Sequence, residues 1–264
     1  QAEEKKMAAS PSPSFEERLR ELVAAARAHP EILGLVGFGS TAERSRADEW
    51  SDHDLAVITT PGSEQRLRHE LGWLPHPERI ALAVVDGHDA VSVITEAGEV
   101  LEFGVATLED FAGWSGNRAE VLLDRGGVAA VVESMLARPA PSESVDVGRE
   151  TRIALVKLLI GVGRARRGEL LTANRNIRGE ALEHLLAAWA AALPGDRRPL
   201  DSLDPHRRFE LVHPELAARV DRALRLEPEA VARTLLELAE DTLGHRDDFP
   251  SEGAAAIRRR LGWG

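Results

Sequence analysis

Two periods of apolar patterning run along this chain, and the change from one to the other divides it. From Phe15 to His29, Leu19, Leu22, Val23 and Ala26 recur on one side at helical spacing, which predicts an amphipathic helix ended by Pro30. Ile32 to Phe38 is an apolar run with strand character, and Leu55 to Ile58 is a second. Pro61-Gly62 marks a turn, and Ser63 to Leu71 reads as helix. Arg79 to Val85, Val91 to Thr95 and Glu99 to Ala106 read as strands separated by turns at Asp86-Gly87 and Ala97-Gly98, a meander. Val121 to Gly127 is an apolar strand ending in a turn, before a helix from Val128 to Leu136.

Beyond that point the strand signal stops. Pro139 to Ser144 is a Pro/Ser-rich linker and the best domain boundary. Val147 to Arg166, Gly168 to Leu193, Pro214 to Arg225, Glu227 to Leu243 and Ser251 to Leu261 all carry helical patterning, which predicts a four- or five-helix bundle. The expected organisation is a leader and disordered tail over residues 1–14, an α/β domain over 15–138 and a helical bundle over 145–264. The fold class is α+β, a mixed sheet with flanking helices followed by helices alone.

Composition narrows the chemistry. The 264 residues include no cysteine, which removes disulfides, thiolate catalysis and Cys-ligated metals. No apolar run has the length of a membrane span, and no secretory h-region is present, so the expectation is a cytoplasmic protein. The net charge of −11 argues against nucleic acid as the main partner and suits a small cationic ligand. The nine histidines show no zinc spacing, and neither a Gly-x-Ser-x-Gly elbow nor a Walker phosphate loop occurs. Gly161-Val-Gly163 follows a helix, so it is not a dinucleotide turn.

The candidate chemistry lies between the first two strands. Gly37, Gly39 and Ser40 close the first; Asp52 and Asp54 open the second. Residues i and i+2 of a strand share a face, so these carboxylates project together while His53 points away. Neighbouring carboxylates repel unless a cation lies between them or one is protonated, and hard oxygen ligands suit Mg²⁺. Gly37 and Gly39 let the backbone approach a ligand. Ser40 and Glu43 fit an S-x-x-E capping box, which predicts a helix starting at Ser40 with amides free for phosphate. On the later strand, Leu101, Phe103 and Val105 share an apolar face, leaving Glu102 as the sole charge opposite, between Val100 and Gly104. Such a carboxylate, if half-buried, wants a cation or a hydrogen bond.

Gly39-Ser40 followed by Asp52-His53-Asp54 resembles the signature of the polymerase-β-like nucleotidyltransferase superfamily. The wording Asp48-Glu-Trp-Ser-Asp-His-Asp-Leu55 is most similar to the aminoglycoside, or antibiotic, adenylyltransferase branch. The resemblance covers Ile32 to Ala130 and extends only loosely into the helical half. It implies the superfamily fold and Mg²⁺-dependent transfer of a nucleoside monophosphate, AMP from ATP, to a hydroxyl of a small cationic acceptor, with pyrophosphate released. Asp52 and Asp54 would hold one or two Mg²⁺ ions. Glu102 matches the family's third carboxylate, as metal ligand, general base or both; Glu99, its rival, sits on the opposite pleat. Gly39 and Ser40 would contact the nucleotide's phosphates.

Arg44 and Lys157 are lesser candidates for nucleotide contact. Lys157, the sole lysine after the leader, interrupts an apolar run and either reaches the triphosphate or snorkels at the bundle edge. The acceptor would be met by bundle carboxylates, among Glu150, Glu169, Glu180 and Glu183. Arg164, Arg166, Arg167, Gly168 and Glu169 resemble a segment of the family's second bundle helix. Two departures concern the nucleotide: Glu43 stands where an arginine is frequent, and no tyrosine is present to stack on a base. The alternatives are a protein or tRNA acceptor, as in toxin-like members, and a non-catalytic nucleotide-binding module.

Overall fold

The computed structural model describes residues 15–116, 118–138, 145–196 and 207–264. The tail to Ser14 and the linker at Pro139 to Ser144 lie outside them. The chain divides into two compact units at Ala140–Pro141.

In the first unit, helix α1 (Phe15–Ala28) precedes strand β1 (Ile32–Phe38), the short α2 (Gly39–Ala42), β2 (His53–Thr59) and α3 (Glu64–His69). Strands β3 (Ile80–Val85), β4 (Ala90–Thr95) and β5 (Val100–Thr107) follow, then α4 (Leu108–Phe111), β6 (Ala119–Asp124) and α5 (Val128–Ala137). The strands form one sheet in the order β3-β4-β5-β2-β1-β6. β2 and β5 are parallel, and the other pairings are antiparallel.

The predicted meander explains the parallel pair. Its first hairpin is tied by Asp86, whose carboxylate accepts the amides of His88 and Ala90 at 2.8 and 2.9 Å. Its second turns at Gly98, with φ +82°. Two reversals bring β5 alongside β2 in the same direction, so the N-terminal ends of both strands lie together.

The pleat separates two cores. Leu55 and Val57 of β2 and Leu101, Phe103 and Val105 of β5 join Leu19, Leu22 and Ala26 of α1. On the opposite face, Ala56, Ile58 and Ala106 meet Phe111 of α4 and Val128, Val132 and Met135 of α5. His53 points to the α1 side, as alternation requires. Its ring stacks on Phe15 at 4.0 Å, and its Nε2–H donates to the Phe15 carbonyl at 3.1 Å. Burial pushes its pKa below the ordinary histidine value. Glu99 faces the same way and accepts from Arg18 at 2.7 Å, so it belongs to the packing of α1.

The second unit is helical: α6 (Val147–Arg166), α7 (Leu170–Asn174), α8 (Leu182–Ala192), α9 (Phe209–Val212), α10 (Pro214–Leu224), α11 (Pro228–Leu243) and α12 (Ser251–Leu261). Leu155, Leu158 and Val162 of α6, Leu185 and Trp189 of α8, and Leu235 and Leu238 of α11 share its core. The α+β expectation of a mixed sheet followed by helices therefore holds. One difference concerns the helix expected over Gly168 to Leu193. Between α7 and α8 the chain widens into a π-helical stretch, Arg175–Ala181. There Ile177 packs so closely on α6 that a Cβ at Gly161 would lie 2.4 Å from its Cγ1. Arg178 reaches across to the carbonyls of Leu224 and Leu226 at 2.6 and 2.5 Å. Packing of these two side chains favours a local widening that patterning does not reveal. No helix among the described residues is long and apolar enough to cross a membrane.

Candidate active site

The chain leaves β1 through Gly39, at φ +51°, a conformation that suits glycine. A Cβ there would stand 2.9 Å from Oδ2 of Asp54. The predicted capping box does not form. Helix α2 begins at Gly39, lasts four residues and has no side-chain cap. The Ser40 hydroxyl instead donates to the Asp52 carbonyl at 3.2 Å. Glu43 turns to Arg46 at 2.7 Å and to Arg118, and the bond from Arg46 leads the causes that hold its pKa below the ordinary carboxylate range. A single turn of helix is too short to favour a cap over the neighbouring strand end.

The turn is thus tied to β2 rather than capped. Besides the Ser40 bond, the Asp54 amide donates to Thr41 Oγ1 at 3.2 Å, and Thr41 is fully buried. Close packing supports this: a Cβ on Gly37 would meet Thr41 Cγ2 at 2.7 Å. The sequence reading missed Thr41. The signal available was a small hydroxyl residue beside Ser40, four positions after a glycine on the strand.

Asp52 and Asp54 are half-buried and Glu102 is exposed, and each can offer one carboxylate oxygen such that the three lie within 4.8 Å of one another. Of the two placements open to Glu102 in the sequence, half-buried or solvent-facing, the structure has the second. Ser92 Oγ donates to Glu102 Oε1 at 2.9 Å and fixes it. Ser92 faces Glu102 in the β4–β5 register, and both are equally distant in sequence from Ala97 in the connecting turn. Counting outward from that turn would have found it. The face then passes from site to core within one pleat: Gly104, next on the same side, lies beneath Trp114, whose Cη2 would be 2.3 Å from an added Cβ.

This donor set fits a hard divalent cation. Three oxygens converge, two from half-buried side chains, and Gly39 carries no Cβ at the point where one would crowd Asp54 Oδ2. Carboxylates this close repel one another without a positive charge among them.

Arg44, Lys157, Glu150, Glu169 and Glu180, among the remaining sequence candidates, are already ion-paired. Arg44, in the 3₁₀ turn after α2, contacts Glu16 at 3.1 Å and Glu120 at 2.7 Å. Lys157 belongs to the helical unit and pairs there with Glu180, which also meets Arg175. Glu150 meets His184 and Arg149; Glu169 meets Arg164 and Arg167. Arg166 meets Glu229 at 2.5 Å.

No family model matches the chain, and no curated protein does. Among solved structures, one match is an aminoglycoside 6-adenyltransferase from Bacillus subtilis, 14% identical, covering 94% of this chain and 91% of that one, with a TM-score of 0.30. Another is the CCA-adding enzyme of Thermotoga maritima complexed with tRNA, 13% identical, covering 95% of this chain and 67% of that one, with a TM-score of 0.39. The chain is similar to both.

Proposed function

We propose that this protein transfers a nucleoside monophosphate, AMP from ATP, to a hydroxyl of a small cationic acceptor such as an aminoglycoside. The observation that carries this reading is the convergence of Asp52, Asp54 and Glu102 beside the Gly39-Ser40 turn. Asp52, Asp54 and Glu102 would hold Mg²⁺, which when bound offsets charge on the triphosphate oxygens.

The chain's own groups do the rest. Gly39 carries no side chain where the phosphates would approach, and Ser40 and Thr41 hold the turn against β2. Glu102, kept in place by Ser92, accepts the proton of the acceptor hydroxyl. The acceptor oxygen then bonds to the α-phosphorus as the α–β bridge breaks, and pyrophosphate leaves with that bond's electron pair. Positioning and fixed charge are the main sources of rate. Arg44 and Lys157 remain lesser candidates for contact with the nucleotide.

The charge of −11 supports a cationic acceptor. The second reading keeps the chemistry and changes the acceptor to a protein or tRNA. Incubation with α-labelled ATP, Mg²⁺ and separate panels of aminoglycosides, tRNA and proteins tests both. Label on an aminoglycoside is expected. Label on tRNA or protein would replace the acceptor, and no Mg²⁺-dependent label on any panel would leave a nucleotide-binding module.

A further inference from the structure

Strand β3 forms one edge of the sheet and β6 the other. The two edges differ. β6 carries Glu120 and Asp124, and these are engaged, Glu120 with Arg44 and Asp124 with the first amides of α5. β3 reads Ile80-Ala-Leu-Ala-Val-Val85, with no charge and no proline. Residues 81 to 84 are all exposed, with Leu82 and Val84 at 51% each, and the adjoining Ile94 of β4 is also exposed. Natural edge strands are normally blunted by charge, proline or cover, because an open apolar edge pairs with other chains.

The register shows what this edge offers. The Asp86 amide donates to the Ala90 carbonyl at 2.9 Å, so Asp86 directs its backbone groups toward β4. Bonding direction alternates along an antiparallel strand. Val85 and Ala83 therefore direct their N–H and C=O groups outward, away from the sheet.

We propose that β3 pairs antiparallel with β3 of a second copy of this chain, about a two-fold axis at Ala83. Ala83 then exchanges both backbone bonds with its own counterpart. On one face Leu82 of each copy lies against Val84 of the other, an aliphatic cross-strand pair made twice. The charges at the strand ends favour the same arrangement. In this register Asp86 of one copy lies opposite Ile80 of the other, one residue from Arg79, so opposite charges come close at both ends. Pairing of β3 with β6 of another copy would set charged Glu120 and Asp124 beside the apolar strand. It would also leave an open edge and propagate into filaments, whereas the two-fold pairing closes. This inference is independent of the proposed chemistry.

Sedimentation equilibrium of the full chain, from micromolar to sub-millimolar concentration, tests it. Twice the monomer mass is expected for the natural sequence. Val84→Lys, which puts like charges across the axis, and Ala83→Pro, which removes the outward amide while leaving the bonds to β4, are each expected to give monomers. Circular dichroism checks that both are folded. A natural chain that is monomeric throughout, filaments, or dimers that persist in both folded variants would each overturn the proposal. So would a monomer whose Ala83 and Val85 amides are protected from hydrogen exchange, since another segment would then cover the strand.

Discussion

Asp54 and Glu102 are register partners across the parallel pairing of β2 with β5. They come from strands separated by a helix and two hairpins, yet their side chains leave the same face at the same level. Removing either acid should therefore remove one corner of a single oxygen cluster. Glu102→Gln keeps the shape and the Ser92 partner but cannot take a proton. It is expected to lower kcat by about 10²–10⁴-fold, the usual range for a lost general base. Asp54→Asn should also weaken Mn²⁺ binding, measured by calorimetry without nucleotide. Unchanged turnover in both variants would end the assignment.

Gly104 and Trp114 define where the site stops and the core begins. An added Cβ at Gly104 would meet the indole at 2.3 Å, well inside contact distance. Gly104→Ala is expected to destabilise the first unit by about 1–3 kcal/mol through overpacking. Trp114→Phe in the same chain should recover part of that loss, because the two residues share one space. Urea melts of the two single variants and the double variant give the coupling. Additive losses would place the strain elsewhere.

Asp124 organises the start of α5. One oxygen accepts the amides of Gly126, Gly127 and Val128 at 2.9 to 3.1 Å, and the other accepts Ala129 at 2.9 Å. These bonds, that from Ala129 foremost, hold its pKa below the ordinary aspartate value of 3.8. A depressed carboxylate contributes its stability above the unfolded-state value and loses it as pH falls through the folded one. Asp124→Ala is expected to cost about 1 kcal/mol at neutral pH, as a lost helix cap does. The difference from the natural chain should shrink in acid, below the ordinary aspartate range. A gap that stays constant in acid would mean the loss is packing rather than charge.

The parts of the fold legible in the sequence were those governed by period. The limits of β1 and α6 and the opposite orientations of His53 and Glu99 relative to Asp54 and Glu102 follow from alternation and helical spacing alone. What was not legible depends on partners distant in the chain. Ser40 fits a capping box by spacing, but the strand end at Asp52 offers its hydroxyl a better acceptor. The π-helical stretch is related to Ile177 seating against Gly161, sixteen residues earlier. Thr41 and Ser92 matter through single bonds to Asp54 and Glu102, and a lone hydroxyl carries no period.

Lys157 tests whether an ion pair masks a ligand contact. Its ammonium is paired with Glu180, whose pKa is held down first by that bond. If the lysine serves the nucleotide, Glu180 competes for it. Lys157→Met is then expected to raise the KM for ATP with kcat little changed, and Glu180→Gln to leave that KM unchanged or lower it. An unaltered KM in Lys157→Met, with a lower melting temperature, would assign the lysine to packing within the helical unit.

Gly39 separates the demands of backbone and ligand. Its φ of +51° disfavours most residues, but asparagine tolerates that region better than alanine. Conformation alone would therefore make Gly39→Asn milder than Gly39→Ala. The space beside it imposes a different order, because any Cβ would stand 2.9 Å from the Asp54 carboxylate and push it from the cluster. Both variants are thus expected to lose Mn²⁺ affinity and turnover to a similar extent, while Gly39→Ala alone shows the larger fall in melting temperature. Calorimetric titration beside thermal melts separates the two effects. Full metal affinity in Gly39→Asn would mean that the turn needs glycine for its dihedral angle and that the closeness to Asp54 has no functional weight.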